Sequence, residues 1–301
     1  MPEVIEIKEY SDFITKHCLN SKLRDIHIEK GRYKTHGAFK GYDFIQNSLP
    51  NKLVKVGSKG KFMYFKFEND YYLGITLGLT GGWFFKEKGK DDLVHGLKNS
   101  HYPPAERTDY IEKALKHINI NFIFENGTLY FYDQLSYGTV SVFSSTELLD
   151  KKLKTIGMDI FDPQTTLQSF LTKMKTATNL KKKIGNVLMD QKQISGIGNY
   201  LRADILYMSK ISPFRLVSEL SDDELKLIYK NSRVLIWGLY NRQEGINLGM
   251  LNQHSKLPTD YDRDFFVYEK KTDINGLPVI KEELYEGSQK RFIFWVPEVQ
   301  K

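Results

Sequence analysis

The stretch LMDQKQISGIGNYLRADILYMSKISPF, residues 188–214, predicts two short helices joined by a tight glycine turn. The first helix is expected to end near Gln193, and the second to begin at Asn199 and end before Pro213. The two turn glycines permit dihedrals that other residues avoid and let a bulky partner approach closely. With Asn199 as N-cap, the free N–H groups and positive end of the second helix would suit a phosphate. An ordinary packed helical hairpin fits the same stretch.

The composition indicates room for two domains and favours a polyanionic partner. The chain has 301 residues, 41% of them hydrophobic, and a formal net charge of +7. Excess Lys and Arg favour nucleic acid because binding releases condensed counterions. The single cysteine, Cys18, excludes an intramolecular disulfide and a cysteine-cluster zinc site. No apolar run reaches roughly 18 residues and the start is unlike a signal peptide, so we expect a soluble, intracellular protein without a membrane partner.

The amino terminus, Met1-Pro2-Glu3, carries residue types suited to amine catalysis. Removal of an initiator methionine before proline would leave Pro2 with a secondary amine, on the order of 10–20% unprotonated at pH 7. Attack by this amine on an aldehyde carbon gives an iminium, which stays positive and acts as an electron sink for elimination. Glu3 could donate and accept the protons that move. The alternative is a common Met-Pro start with a solvated Glu3.

Residues 52–143 predict a β-rich sandwich or barrel-like domain. FMYFKF and YYLGIT form one predicted hairpin, and INFIF and TLYFYD form another around a type I′ turn at Asn126-Gly127. Residues 98–116 predict a surface insertion with a short helix.

The remainder of the chain predicts helices and a final hairpin. The polar residues 144–162 predict the connection between domains, and helix caps are expected at Asp162-Pro163 and at Ser221. Residues 245–264 suit a flexible loop over a binding pocket or, equally, a plain connector. FFVYEK and RFIFWV predict a C-terminal β-hairpin connected through Asn275-Gly276.

Several of these segments resemble the Fpg/Nei family of DNA glycosylases. The opening stretch resembles the family's helix-two-turn-helix signature, and MPEVIEIKE resembles its MPELPEVE start. ITLGLTG and DQLSYG resemble its IHLGMSG and DPRRFG loops, and the terminal hairpin resembles its zinc finger. NYLRADIL is most similar to the zincless-finger, endonuclease VIII-like (Nei-like) enzymes of eukaryotes and large viruses.

The resemblance implies an α+β fold with three parts. These are an N-terminal catalytic β-sandwich domain at residues 1–145, a C-terminal helical helix-two-turn-helix domain at residues 146–262, and a zincless β-hairpin finger at residues 263–301. The family's four zinc cysteines fall on Thr272, Asn275, Val296 and Val299, so no metal is expected.

The resemblance also implies roles for individual residues. Pro2 matches the Schiff-base nucleophile, Glu3 the acid/base carboxylate, and Lys61 a catalytic lysine near the reacting sugar. The implied DNA contacts are Asn199, Arg291, Leu79, Leu135 and Tyr137, with Glu6 and Lys270 as candidate lesion contacts. Leu135 and Ser136 replace two family arginines, so the protein is expected to discriminate weakly among bases opposite the lesion.

The function implied is a bifunctional DNA glycosylase and AP lyase of base excision repair. It would excise oxidised bases, mainly pyrimidines and hydantoins, through a Pro2 Schiff base, and nick the strand by β,δ-elimination without a cofactor. Damaged DNA, duplex or single-stranded, would be its partner, and a monomer is expected. If the source is eukaryotic or viral, the expected location is the nucleus or a viral or cellular site of DNA replication. The alternatives are a non-catalytic binder of damaged, abasic or single-stranded DNA and an RNA-binding structural protein. Pro2, Glu3 and Lys61 favour the enzyme, because a binding module needs no terminal amine beside a carboxylate.

Overall fold

The computed structural model describes residues 2–97, 111–244, 265–286 and 289–301. It divides into two compact units, Met1–Thr155 and Ile156–Lys301. The predicted loop at 245–264 and most of the predicted insertion at 98–116 lie outside the described residues, although residues 111–115 are helical. In the described parts, no helix is both long and apolar enough to cross a bilayer.

The first unit combines one long helix with a large antiparallel sheet. Helix α1 spans Val4–Cys18. The strands are β1 Lys22–Ile28, β2 Asn51–Lys59, β3 Phe62–Phe67, β4 Tyr72–Thr76, β5 Gly81–Glu87, β6 Leu93–His95, β7 Ile118–Phe124, β8 Gly127–Asp133 and β9 Thr139–Phe143. The shorter helices are α2 Arg32–Thr35, α3 Tyr42–Gln46 and α4 Thr146–Lys154. The strand order is β6-β5-β8-β7-β1-β2-β3-β4-β9, with each neighbouring pair antiparallel.

Aromatic contacts show that this sheet closes over its own core. The ring of Phe65 on β3 lies 5.7 Å from that of Trp83 on β5 and 6.4 Å from that of Phe122 on β7. Because β3 and β5 are far apart in the strand order, the two halves of the sheet must face each other, as in a sandwich. Helix α1 packs on β2, β3 and β5, and buries Ile7 and Ile14 at helical spacing.

One predicted turn lies one residue away from its expected place. The hairpin of β7 and β8 was expected to turn at Asn126-Gly127, but Phe124 pairs with Gly127, so the turn residues are Glu125 and Asn126. Gly127 begins β8 where the strand passes close to β5. A Cβ there would lie 2.3 Å from the carbonyl oxygen of Lys86, so close strand approach explains this glycine.

The second unit is mostly helical and ends in a hairpin. Its helices are α5 Leu167–Met174, α6 Ala177–Leu180, α7 Ile184–Met189, α8 Asn199–Met208 and α9 Asp222–Glu244, with a 3-10 turn at Val217–Glu219. The short strands β10 Met158–Asp159 and β11 Ile194–Ser195 pair in parallel, and β12 Ile280–Glu286 pairs with β13 Gln289–Trp295 in antiparallel fashion.

The predicted cap at Ser221 is confirmed, and the one at Asp162 is wrong. Before α9, the N–H of Glu224 donates to the Ser221 hydroxyl at 3.3 Å, and the N–H of Ser221 donates to the Glu224 carboxylate at 2.8 Å. Asp162 instead accepts the N–H of Gln164 at 2.8 Å in a local turn. Thr166 is the N-cap that starts α5.

The terminal hairpin uses different strands from those predicted. RFIFWV lies largely in β13 as expected, but its partner is β12 and not FFVYEK at residues 265–270. The latter segment forms a turn in which the N–H of Lys270 donates to the carbonyl of Val267 at 3.2 Å. The N–H groups of Phe266 and Val267 are taken by the carboxylate of Asp204, so they do not join a strand ladder.

Candidate functional site

The amino end of α1 carries two buried carboxylates beside Pro2. Glu3 and Glu6 are only 1% and 3% exposed, while Pro2 is half-buried. The backbone N–H of Glu3 donates to Oε2 of Glu6 at 2.8 Å. Carboxylates are favoured at this positive end of a helix. Glu6, predicted as a lesion contact, therefore holds the backbone of the residue that follows Pro2.

Lys61 lies in the two-residue turn that joins β2 to β3. Lys59 pairs with Phe62 across this turn, and Gly60 takes a left-handed φ of 54°. Lys61 is half-buried, and α1 packs against both strands that the turn connects. The predicted catalytic lysine is thus held on a rigid hairpin.

Three large apolar side chains in the first unit project into solvent from two loops. Leu79 is 40% exposed in the loop between β4 and β5. Leu135 and Tyr137 are 46% and 60% exposed in the loop between β8 and β9. A Cβ on Gly78 would lie 2.8 Å from the backbone nitrogen of Gly138, so the two loops touch. These three side chains, predicted as DNA contacts, therefore belong to one joined pair of loops.

Asp133 and Thr80, which the sequence analysis missed, lock this pair of loops. Asp133 is 1% exposed and accepts the N–H of Gly138 at 2.6 Å. It also accepts the hydroxyl of Thr80. That hydroxyl oxygen accepts the N–H of Leu135 at 3.0 Å. An acidic residue ending a strand beside a Gly-containing turn was the available signal, because Asp commonly bonds nearby backbone N–H groups.

In the second unit, Asn199 is the first residue of α8 and not its N-cap. Gly198 occupies the cap with extended dihedrals, φ −122° and ψ −153°. Asn199 is half-buried, and its side-chain oxygen accepts a hydrogen bond from Arg202 one turn later in the helix. The predicted cap is wrong because this oxygen is engaged by a guanidinium and not by a backbone N–H.

Arg202 is a second residue that the sequence analysis missed. It is fully buried, and it donates to the carbonyl of Gly185 at 3.2 Å and to the carbonyl of Phe292 at 2.8 Å. Phe292 follows the exposed Arg291 on β13. The guanidinium thus brings Asn199 together with the strand that carries Arg291. The signal was a basic residue inside an otherwise apolar helical stretch.

Lys270 lies near a buried carboxylate of the same unit. Asp204, on α8, accepts the N–H groups of Phe266 and Val267, each at 3.1 Å. Burial raises the pKa of Asp204 to about 7, while these hydrogen bonds and the charge of Lys270 oppose the rise. Lys270 is half-buried at the end of the adjoining turn.

The residues at the four zinc-cysteine positions do not fit a metal. Val296 is fully buried and Val299 packs on the same apolar cluster. Thr272 pairs with Pro278, and the side chain of Asn275 lies beside Asp273. Within the described ranges, no three His, Cys, Asp or Glu side chains come together as a metal site would require. At Val296 and Val299, apolar packing occupies the place of two ligands, since valine has no donor atom for zinc.

Three domain models of one family match successive parts of the chain. The formamidopyrimidine-DNA glycosylase N-terminal domain matches residues 1–140, its H2TH domain residues 156–247, and its C-terminal domain residues 255–301. The chain belongs to the formamidopyrimidine-DNA glycosylase family. This membership confirms the Fpg/Nei resemblance and the prediction of a DNA glycosylase.

Similar proteins support the family at the level of sequence and fold. The formamidopyrimidine-DNA glycosylase of Ligilactobacillus salivarius is 26% identical over 235 residues, which cover 77% of this chain and 74% of the relative. Lactococcus lactis Fpg in complex with DNA containing an oxidised pyrimidine matches with a TM-score of 0.74 at 18% identity over 100% of both chains. The same enzyme bound to abasic-site DNA matches with a TM-score of 0.73 at 18% identity over 99% of both chains. The predicted Fpg-like α+β fold is confirmed, whereas the zincless Nei-like subgroup stays a prediction.

Proposed function

We propose that this protein is a bifunctional DNA glycosylase and AP lyase that excises oxidised bases through Pro2. The observation that carries the proposal is the buried Glu3–Glu6 pair, which holds the backbone directly after Pro2 in a member of this family. The similar Lactococcus lactis structures, bound to DNA with an oxidised pyrimidine or an abasic site, support damaged DNA as the partner.

The chemistry follows from a terminal secondary amine. The nitrogen of Pro2, freed by loss of Met1, attacks C1′ of the damaged nucleotide, and the bond from C1′ to the base breaks as the base leaves with a proton. The C1′–O4′ bond then breaks, O4′ takes a proton to become a hydroxyl, and the nitrogen, which has lost its own proton, forms a double bond to C1′ as an iminium. This iminium accepts the electron pair released when a proton is lost from C2′, and the 3′ C–O bond then breaks. A second elimination breaks the 5′ C–O bond. Glu3 moves the protons, and Lys61 contacts a phosphate near the sugar.

DNA is held by polar groups and opened by apolar ones. Asn199 and Arg291 bind phosphates of the damaged strand. Leu79, Leu135 and Tyr137 enter the duplex, where apolar contact replaces part of the stacking lost when the nucleotide leaves the helix. Their exposure together on two touching loops supports this role, because grouped exposed apolar side chains mark interaction surfaces.

The remaining features of the proposal concern substrate range and organisation. Oxidised pyrimidines and hydantoins, in duplex or single-stranded DNA, are the proposed substrates, and Glu6 and Lys270 are each proposed to contact the lesion. Catalysis is assigned to residues 1–145, DNA binding to residues 146–262, and the metal-free finger to residues 263–301. The packed valines at the zinc positions support the zincless subgroup. The protein is proposed to act as a monomer and, if its source is eukaryotic or viral, in the nucleus or at a viral or cellular site of DNA replication.

Borohydride trapping tests this function. The protein is incubated with duplexes containing an abasic site or thymine glycol, reduced, digested, and the crosslinked peptide is sequenced by mass spectrometry. A crosslink at Pro2 with Met1 absent is expected. A version extended at its amino end, in which the Pro2 nitrogen is an amide, is the matched control and should give no crosslink. Tight binding without any crosslink by the processed protein would favour a non-catalytic binder of damaged DNA.

A further inference from the structure

Arg202 occupies an unusual position for a charged side chain. It is 0% exposed, and burying a guanidinium is costly unless its hydrogen bonds are made. Its Nη1 donates to the carbonyl of Gly185 at 3.2 Å. Its Nη2 donates both to Oδ1 of Asn199 and to the carbonyl of Phe292, the latter at 2.8 Å. One guanidinium therefore joins three separate segments, at the start of α7, the start of α8 and the middle of β13.

The bond to Asn199 fixes which end of its amide faces outward. A guanidinium has donors and no acceptor, so Asn199 must present its oxygen to Arg202. The NH₂ group is then the end directed away from the guanidinium. An NH₂ group donates to phosphate oxygens, whereas an amide oxygen would repel them. Arg202 thus determines that Asn199 offers a donor.

The bond to Phe292 fixes the other phosphate-binding group. The carbonyl that Arg202 holds belongs to the residue after Arg291, and α8 packs against β13. Arg291 itself is exposed. A shift of Arg202 would therefore move Asn199 and the backbone beside Arg291 together.

We propose that Arg202 is a positioning residue that orients the amide of Asn199 and holds the strand of Arg291, so that both groups bind phosphates of damaged DNA as one unit. This role rests on the function proposed above. Arg202 touches neither the sugar nor the base and acts through its two neighbours.

A double-mutant cycle tests the coupling. Binding to a duplex containing a tetrahydrofuran abasic analogue is measured for the wild type, Asn199→Ala, Arg202→Met and the double variant over a series of salt concentrations. Asn199→Ala should weaken binding about tenfold in the wild type and less than about twofold in the Arg202→Met background. Arg202→Met should also lower the slope of log K against log salt by about one phosphate contact, that of Arg291. Equal effects of Asn199→Ala in both backgrounds, with an unchanged slope, would overturn the proposal.

A second variant distinguishes loss of the amide donor from a simple folding defect. Asn199→Asp keeps an oxygen for Arg202 but loses the NH₂ group, so its melting temperature should match or exceed that of the wild type while binding falls by more than about tenfold. Wild-type binding by Asn199→Asp would refute the proposed amide orientation.

Borohydride trapping of the wild type on an abasic duplex, run in parallel, separates the two proposals. If Pro2 is crosslinked and the two substitutions have additive effects on binding, the positioning role of Arg202 is refuted and the lyase function stands. If the two substitutions have non-additive effects on binding but no crosslink forms, the lyase function is refuted and the positioning role stands.

Discussion

The hydroxyl of Tyr207 donates a hydrogen bond of 2.8 Å to the carboxylate of Asp273, and this bond ties α8 to the turn that precedes the terminal hairpin. Asp273 is 6% exposed and also accepts the N–H groups of Asn275 and Leu277. Burial by itself would raise the pKa of Asp273, but these hydrogen bonds outweigh it and lower the pKa below its ordinary value. One carboxylate thus organises the turn that contains Asn275, a position on which a zinc cysteine of the Fpg/Nei family falls.

Replacement of Tyr207 by Phe is therefore expected to destabilise the protein. The change leaves a buried carboxylate short of one donor, which should lower the free energy of unfolding by about 1–3 kcal/mol. Because the pKa of Asp273 is lowered in the folded state, its stabilising effect is present above the ordinary carboxyl pKa and is lost as the pH falls below it. Urea denaturation at neutral and acidic pH measures both effects. The free energies of unfolding of Tyr207→Phe and the wild type should differ less at acidic pH than at neutral pH.

Tyr285→Phe is the matched control for that experiment. Tyr285 is 53% exposed in the same unit, and its hydroxyl bonds the half-buried Glu283. Its loss should change the free energy of unfolding by less than about 0.5 kcal/mol. Equal effects of the two substitutions would contradict the importance of the Tyr207–Asp273 bond.

Asp204 predicts an opposite dependence on pH. Burial raises its pKa from 3.8 to about 7, so between these values the folded state keeps a proton that the unfolded state has lost. The free energy of unfolding should fall as the pH rises through this window and then level off. The free energy of unfolding of Asp204→Asn should not show this fall. As the pH rises to about 7, the variant should therefore gain stability relative to the wild type. Thermal melts at several pH values give the comparison. Parallel plots of melting temperature against pH for the two proteins would refute the prediction. Asp223→Asn is the control, because the side chain of Asp223 is 89% exposed.

Thr80→Val should loosen the loops that carry Leu79, Leu135 and Tyr137. It removes the hydroxyl that joins Asp133 to the backbone of Leu135. We expect kcat/KM on damaged duplex DNA to fall about tenfold or more, because small displacements of positioned groups are costly in catalysis.

Cleavage of a single-stranded abasic oligonucleotide should change little in Thr80→Val, because no base stack has to be opened. Thr139→Val is the matched control, since its hydroxyl is also half-buried and hydrogen-bonded, but to Thr76 on the neighbouring strand. Equal fold losses of cleavage activity on duplex and single-stranded DNA would show that Thr80 does not act through Leu79, Leu135 and Tyr137.

The loop at Leu135 and Ser136 predicts weak selection of the base opposite the lesion. The exposed apolar side chain of Leu135 can fill space in the stack but cannot hydrogen-bond an orphaned base. Single-turnover cleavage of one lesion placed opposite each of the four bases should give rates within tenfold of each other. A larger spread would mean that groups elsewhere read the opposite base.

Local signals in the sequence were enough for most secondary structure and for the family. The capping box at Ser221 and the short apolar runs of the β3–β4 hairpin depend on neighbours within a few residues, so both were predictable. The motifs around Pro2 and Asn199 and the absence of zinc cysteines likewise need only the order of residues.

Tertiary structure decided the features that depend on distant partners. Asp204 captures the N–H groups of Phe266 and Val267, so FFVYEK forms a turn and β12 takes the predicted strand's place beside β13. Arg202 captures the oxygen of Asn199, and Gly198 becomes the cap. Periodicity and capping preferences report only local energies. A buried charged group gains its hydrogen bonds from whichever backbone the fold brings near it, and that choice is made only when the chain has packed.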